Sequence, residues 1–288
     1  MALSLLYLAF SAGLSVMTYF LSGLSADIVF IWVPFALVPA FFLAIFLLHA
    51  SICSIFGAVY ASSKKEYYEP HRFAMFILSS TCRMIAWFFR CRIIKTGWER
   101  LPAKGDAAMI VTNHIDSFDY ICLLSRFAGR KVVAVSKKSN ESIIGAGGIM
   151  KRAGYLSIIQ GDLTQGKRII DKAGEYLRDG ICSVCISPEG TRNKNYPNPM
   201  LLPFHPGSFE MAKLGQKPIV LIAFQNTNCV FKRFPWRRTK VYMDVVDVLQ
   251  YDDYKDLSLH EIADLCHDKM LAHLEEKEPR AYLHSFGL

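Results

Sequence analysis

Two short runs of residues carry recognisable chemistry. The first is Asn113-His114-Ile115-Asp116-Ser117-Phe118-Asp119; the second, starting 75 positions after His114, is Glu189-Gly190-Thr191-Arg192. Histidine titrates near neutral pH and can take or give a proton under ordinary conditions. A carboxylate on its other ring nitrogen fixes the tautomer and stabilises the imidazolium. Asp119 can approach the ring if the segment turns directly into a helix, and Asp116 is the competing partner. Arg192 offers a planar guanidinium that grips a phosphate through paired hydrogen bonds. Gly190 permits the tight backbone that would present it. Ser117 lies between the two acids but lacks any G-x-S-x-G surroundings, which argues against a covalent serine. A His-x4-Asp spacing alone is weak in a chain with eight histidines. The two runs in this order, each after a β-branched apolar stretch (108–112 and 181–186), are far more specific.

These motifs, led by Arg92 to Pro102, resemble the glycerolipid acyltransferase family, of which the 1-acylglycerol-3-phosphate acyltransferases are members. The resemblance covers about Lys95 to Gln225. It implies that His114 is the general base, with Asp119 selected over Asp116 by the family spacing. An acceptor hydroxyl would attack an acyl thioester directly, on coenzyme A or acyl carrier protein, with no further cofactor and no metal. Glu189, Gly190, Thr191 and Arg192 would bind the glycerol phosphate of a lysophospholipid acceptor. Asn113 or backbone N–H groups would face the oxyanion. The family's Gly-x-x-Phe-Ile-x-Arg block is matched here by Gly154-Tyr155-Leu156-Ser157-Ile158-Ile159-Gln160, with Ser for Phe and Gln for Arg. Either Lys167 or Arg168 supplies the missing cation, or the acceptor carries less charge. The favoured reaction gives phosphatidic acid. The alternatives are acylation of another lysophospholipid, a remodelling transacylase, and a catalytically silent membrane-binding protein. Retention of His114, Asp119 and Arg192 argues against the last.

Elements that would position these residues follow from apolar patterning. Strands are expected at 108–112, 131–136, 155–159, 181–186, 218–224 and 239–249, with another in the Arg92–Pro102 lead-in. Helices are expected at 118–127, 141–152, 164–178, 208–214 and 259–276. Thr164 reads as an N-cap, Gly180 as a stop, and Ser258 with Glu261 as a capping box. Alternating strands and helices give an α/β sheet flanked by helices, and the resemblance implies a mixed sheet. Cys182 and Cys185 form a C-x2-C without a second pair, so they read as buried thiols and not as a zinc site.

Between Met1 and Ser63 the only Asp, Glu, Lys or Arg is Asp27. Two apolar stretches, Ala2–Leu24 and Ile28–Tyr60, each reach the roughly 20 residues a spanning helix needs. The short connection at Ser25-Ala26-Asp27 makes them a hairpin. It reads either as a two-span anchor or, because Pro34 and Pro39 interrupt the second segment, as a dip into one leaflet, with Trp32 at the interface. The amino end lacks the basic residues of a signal peptide. The organisation is a membrane hairpin anchor over 1–62, a connector over 63–90 and an acyltransferase domain over 91–288. The connector shows helical amphipathicity from Phe73 to Ile94, which suits either the membrane interface or packing on the domain. Lys64, Lys65, Arg72, Arg83, Arg90 and Arg92 place the following domain on the cytoplasmic face by the positive-inside rule. The net charge of +8 suits an anionic membrane surface. No nucleic-acid motif is present. Phe231 to Arg238 is basic and aromatic, and reads as a contact with membrane, a contact with a phosphorylated donor, or a solvated turn.

Overall fold

The computed structural model describes residues 2–23, 32–62, 67 and 70–285. The connection at Ser25-Ala26-Asp27 and the Lys64–Lys65 pair lie outside the described residues. The chain begins with two apolar helices, α1 (Ala2–Leu21) and α2 (Val33–Ala61), followed by α3 (Arg72–Phe88). Pro39 lies inside α2 without ending it. Among the described residues α2 is long and apolar enough to cross a membrane, and α1 presents a shorter apolar run, Leu5–Leu21. The two helices lie side by side, with the Tyr7 hydroxyl 2.8 Å from His49 Nδ1. α2 also packs along α3 through Phe42–Trp87 and Phe46–Phe88 ring contacts.

Seven strands follow: β1 (Cys91–Thr96), β2 (Met109–Thr112), β3 (Val132–Lys137), β4 (Leu156–Ile158), β5 (Ser183–Ile186), β6 (Ile219–Gln225) and β7 (Thr239–Leu249). They form one sheet in the order β1-β7-β6-β2-β5-β3-β4. β6, β2, β5, β3 and β4 run parallel; β7 is antiparallel to β6 and carries β1 with it, so the sheet is mixed, as expected. β6 is buried along its whole length, which fits an apolar parallel strand covered on both faces. The covering helices are α3, α4 (Phe118–Arg126), α5 (Gly147–Arg152), α6 (Leu163–Arg178), α7 (Glu210–Gly215) and α10 (Leu259–Ser285). Two single-turn helices, α8 (Val230–Arg233) and α9 (Tyr251–Tyr254), sit in the connections. Cys182 and Cys185 are buried free thiols in and beside β5.

Several local expectations are corrected. The amphipathic connector stops at Phe88: Arg90 takes a positive φ, and Cys91 starts a strand because Ile93 and Ile94 pair with Val241 and Tyr242. α3 packs on the domain through Ala74, Leu78 and Cys82, yet leaves Phe73, Phe76, Trp87 and Phe88 exposed. The helix expected over 141–152 begins only at Gly147, after a 3₁₀ turn at Lys138–Ser142. A Cβ at Gly147 would lie 2.1 Å from the Glu141 carbonyl oxygen, so the chain doubles back there too closely for any side chain. The N-cap of α6 is Asp162, whose carboxylate accepts from Gln165 N at 2.9 Å, and not Thr164. The Ser258–Glu261 capping contacts form as expected.

Candidate active site

β2 and β5 are parallel neighbours, so the loops leaving their carboxyl ends emerge side by side. This edge of an open α/β sheet is where ligands bind in such folds. The first loop starts with Asn113, whose Nδ2 donates to the Phe224 carbonyl at 3.0 Å while its Oδ1 accepts from Phe224 N at 2.7 Å. Asn113 is buried and both ends of its amide are engaged by β6. It therefore ties the loop to the sheet and does not present its amide to an oxyanion or acceptor, contrary to expectation.

His114 follows. Its Nδ1 lies 2.9 Å from Asp119 Oδ2. The same oxygen accepts from Ile115 N at 2.7 Å and Asp116 N at 2.9 Å. Asp116 instead uses its Oδ1 to accept from Phe118 N at the start of α4, which settles the choice of partner in favour of Asp119. Asp119 is 1% exposed and His114 19% exposed. One ring edge thus meets a buried carboxylate, and Nε2, with no hydrogen-bond partner among the described residues, is left for a reactant. Burial pushes the Asp119 carboxyl up from its ordinary value, opposed by the hydrogen bond and charge of His114. Asp119 Oδ1 and the Thr227 hydroxyl are both buried without a well-formed hydrogen bond; Thr227 lies beside the carboxylate and also opposes the rise. Tyr120 stands edge-on to the imidazole at 5.5 Å, and its hydroxyl joins those of Ser187 and Thr112 in a chain of 2.9 Å contacts.

The second loop grips the first. Glu189 Oε1 accepts from His114 N at 2.6 Å and Oε2 from Leu202 N at 3.1 Å. Asn193 N donates to the His114 carbonyl at 2.7 Å. Both backbone polar groups of the histidine are therefore held by the 189–193 loop. Glu189 is buried, and that burial raises its carboxyl to about 7 against the two N–H bonds that lower it. Both oxygens of its side chain are taken up by backbone N–H groups, so it braces the His114 loop and is not presented as a ligand, which corrects its expected role. Gly190 has φ 65°, and a Cβ there would come within 3.0 Å of the His205 ring. The turn then delivers Thr191 and Arg192 to the surface. Arg192 Nη1 reaches Ser117 Oγ at 3.4 Å, so the guanidinium lies over the loop that carries His114.

The remaining candidates lie farther along the same edge. Gln160 follows β4, which is parallel to β3 and so to β5 and β2. Three strand spacings of about 4.8 Å separate β4 from β2. Gly154 is buried just before β4, whereas Gln160 is exposed. On α6, Lys167 donates to Glu210 Oε1 at 2.7 Å and Asp171 Oδ1 at 3.3 Å, so its charge is already matched. That disfavours Lys167 as the substitute cation. Arg168, exposed on the same turn, has no ion pair among the described residues. Sequence reading missed the Thr112–Ser187–Tyr120 hydroxyls and Thr227. Polar residues at the ends of apolar strands were the available signal for Thr112 and Ser187; Thr227 carried none.

Residues 92–225 match the family model described as Acyltransferase. The 1-acyl-sn-glycerol-3-phosphate acyltransferase of Borreliella burgdorferi is 29% identical over 193 residues, which are 65% of this chain and 75% of that protein. The human 1-acyl-sn-glycerol-3-phosphate acyltransferase beta is 26% identical over 199 residues, 68% of this chain and 69% of that one. Among solved structures, the 1-acyl-sn-glycerophosphate (LPA) acyltransferase PlsC from Thermotoga maritima superposes with a TM-score of 0.52 at 16% identity, covering 79% of this chain and 97% of that one. That likeness concerns the fold.

Proposed function

The chain belongs to the glycerolipid acyltransferase family and is an O-acyltransferase, and from that premise we propose that it moves a fatty acyl group from acyl-CoA or acyl carrier protein to the sn-2 hydroxyl of 1-acylglycerol 3-phosphate. The observation that carries the reading is the open Nε2 of His114, backed on its other ring nitrogen by Asp119 at 2.9 Å, on the loop whose Ser117 meets the guanidinium of Arg192. The acceptor hydroxyl attacks the thioester carbon as Nε2 removes its proton. Asp119 stabilises the imidazolium. The tetrahedral intermediate collapses, the C–S bond breaks, and the thiolate leaves, taking the proton from the imidazolium. Arg192 holds the acceptor phosphate from the surface side, with Thr191 beside it.

The reaction takes place at a membrane. The apolar helix α2 and the basic residues that follow it support an integral attachment with the catalytic domain on the cytoplasmic, anionic face. A second reading keeps the chemistry and changes the acceptor. Gln160 stands where the family carries Arg, and Lys167 is already paired, which favours a lysophospholipid of lower charge or a transacylation. Labelled acyl-CoA and acyl carrier protein, each offered with a panel of lysolipids, separate the two. Turnover fastest with 1-acylglycerol 3-phosphate supports the first reading. Turnover confined to choline or ethanolamine lysolipids supports the second, and none with any pair refutes both.

A further inference from the structure

The segment between β6 and β7 is basic, aromatic and placed beside the catalytic loop. From Met211 to Met243 the sequence contains no Asp or Glu and seven Lys or Arg. Within it Trp236 is 85% exposed and Phe231 57% exposed. Large rings left in water next to cations mark a surface that meets something else.

The base of the segment is firmly seated. Phe231 meets Phe118 at 4.9 Å and Phe89 at 5.1 Å. Phe234 lies 4.7 Å from Phe89 and 5.2 Å from Phe88. Arg90 Nη1 donates to the Pro235 carbonyl at 2.8 Å. Phe118 opens α4 immediately before Asp119, so the segment flanks the catalytic loop. On its other side the rings continue into Trp87 and Phe88, both partly exposed, and from them to Phe42 and Phe46 of α2. An aromatic ridge therefore runs from the one membrane-length helix among the described residues to the edge of the active site.

We propose that the Val230–Arg238 segment seats in the headgroup layer of an anionic leaflet, with Phe231 and Trp236 entering the acyl boundary and Lys232, Arg237 and Arg238 meeting lipid phosphates. This rests on the lipid-acceptor reading, since it opens the catalytic mouth onto the leaflet that would hold that acceptor. Amphipathic rings with basic neighbours are suited to this depth. An acidic carrier protein would satisfy the cations as well. Continuity of the rings with α2 favours lipid.

The test uses the full chain reconstituted in phosphatidylcholine vesicles with and without phosphatidylglycerol. Brominated acyl chains should quench a component of tryptophan emission that disappears in Trp236→Phe, more strongly in the anionic vesicles. Lys232→Glu, Arg237→Glu and Arg238→Glu combined should raise the apparent KM for vesicle-borne acceptor roughly tenfold, while a dispersed short-chain acceptor is used within about twofold of wild type. Iodide quenching of Trp236 that is unchanged by vesicles overturns the proposal. So does protection by acyl carrier protein alone, which assigns the surface to the donor. Quenching by bromolipid in a protein that acylates no acceptor would uphold the docking and reject the acyltransfer reading.

Discussion

The backbone N–H of His114 donates to Glu189 Oε1 at 2.6 Å, so the acid of the second motif holds the histidine of the first. The two motifs are therefore one structural unit. Glu189→Gln replaces one acceptor with an N–H₂ against a backbone donor, and a buried unsatisfied donor costs about 1–3 kcal/mol. The histidine loses its placement, so kcat should fall roughly 10- to 100-fold with little change in acceptor KM. The pH dependence gives an independent readout. Burial raises the Glu189 carboxyl to about 7 in the folded chain, so the folded state holds a proton that the unfolded state releases near the ordinary Glu value of about 4.3. The resulting stability is complete below that lower value and is lost as pH rises through about 7. The melting temperature of the wild type should fall across this window relative to Glu189→Gln. Parallel curves would reject the assignment.

His114→Ala should cut kcat by about 100- to 10,000-fold, the usual weight of a general base. Its melting should stay near that of the wild type, because the ring is part-exposed and, among the described residues, makes one side-chain hydrogen bond. Asp119→Asn should be nearly as damaging. An amide turned toward Nδ1 can donate to it, which leaves the proton on Nε2 and removes the base. Ser117→Ala should retain activity within about threefold, since its contact with Arg192 is long at 3.4 Å and no covalent serine is invoked. Single-turnover assays on the three variants check this ranking, and a dead Ser117→Ala would reopen the serine route.

Asn113→Ala should act through the fold. The side chain makes two buried hydrogen bonds to Phe224, and cutting both leaves a buried N–H and carbonyl without partners. Loss of about 2–4 kcal/mol is expected from chemical denaturation. Any activity loss should track the folded fraction. An Asn113→Ala protein of normal stability with abolished turnover would instead restore the oxyanion role.

What could be read in advance has a physical pattern. β2, β5 and β6 were legible because strands buried on both faces become continuous apolar runs. The pairing of His114 with Asp119 was legible because the contact is local. The partners of Asn113 and Glu189 were not. Phe224 is 111 positions from Asn113, and no pattern in the chain shows that β6 lies beside β2. The direction of the Glu189 carboxylate was hidden for the same reason: an acid in a motif looks alike whether it faces a ligand or a backbone N–H. The false start of the helix at 141 arose because Gly147 meets Glu141 through tertiary closeness that propensity does not register.

Arg192 should govern the acceptor and leave the donor untouched. Its guanidinium is exposed and, among the described residues, is anchored only by the weak Ser117 contact, so it can turn onto a phosphate. Charge-assisted hydrogen bonds contribute about 1.5–3 kcal/mol each, so Arg192→Ala should lower kcat/KM by roughly 10- to 100-fold with 1-acylglycerol 3-phosphate. Arg192→Lys should recover part, because the fork is lost while the charge stays. Acyl-CoA KM should hold steady in both. A rise in donor KM alone would move Arg192 to the carrier's phosphates.

Gln160 and Arg168 decide which acceptor the edge of the sheet prefers. Gln160 is exposed where the family has a cation, and of the two substitutes on α6 only Arg168 is without an ion pair among the described residues. Lys167→Ala should therefore change kcat/KM by less than about threefold, since it breaks an exposed pair worth about 0–1 kcal/mol. Arg168→Ala should cost roughly tenfold with phosphate-bearing acceptors if this side chain supplies the second charge. Gln160→Arg then gives the opposite reading. If it raises kcat/KM for 1-acylglycerol 3-phosphate while Arg168→Ala is silent, the site lacks a second cation and favours a less charged lysolipid. If Arg168→Ala is damaging and Gln160→Arg adds nothing, the charge is already in place and phosphatidic acid is the product. Steady-state assays with the phosphate, choline and ethanolamine lysolipids distinguish the two outcomes.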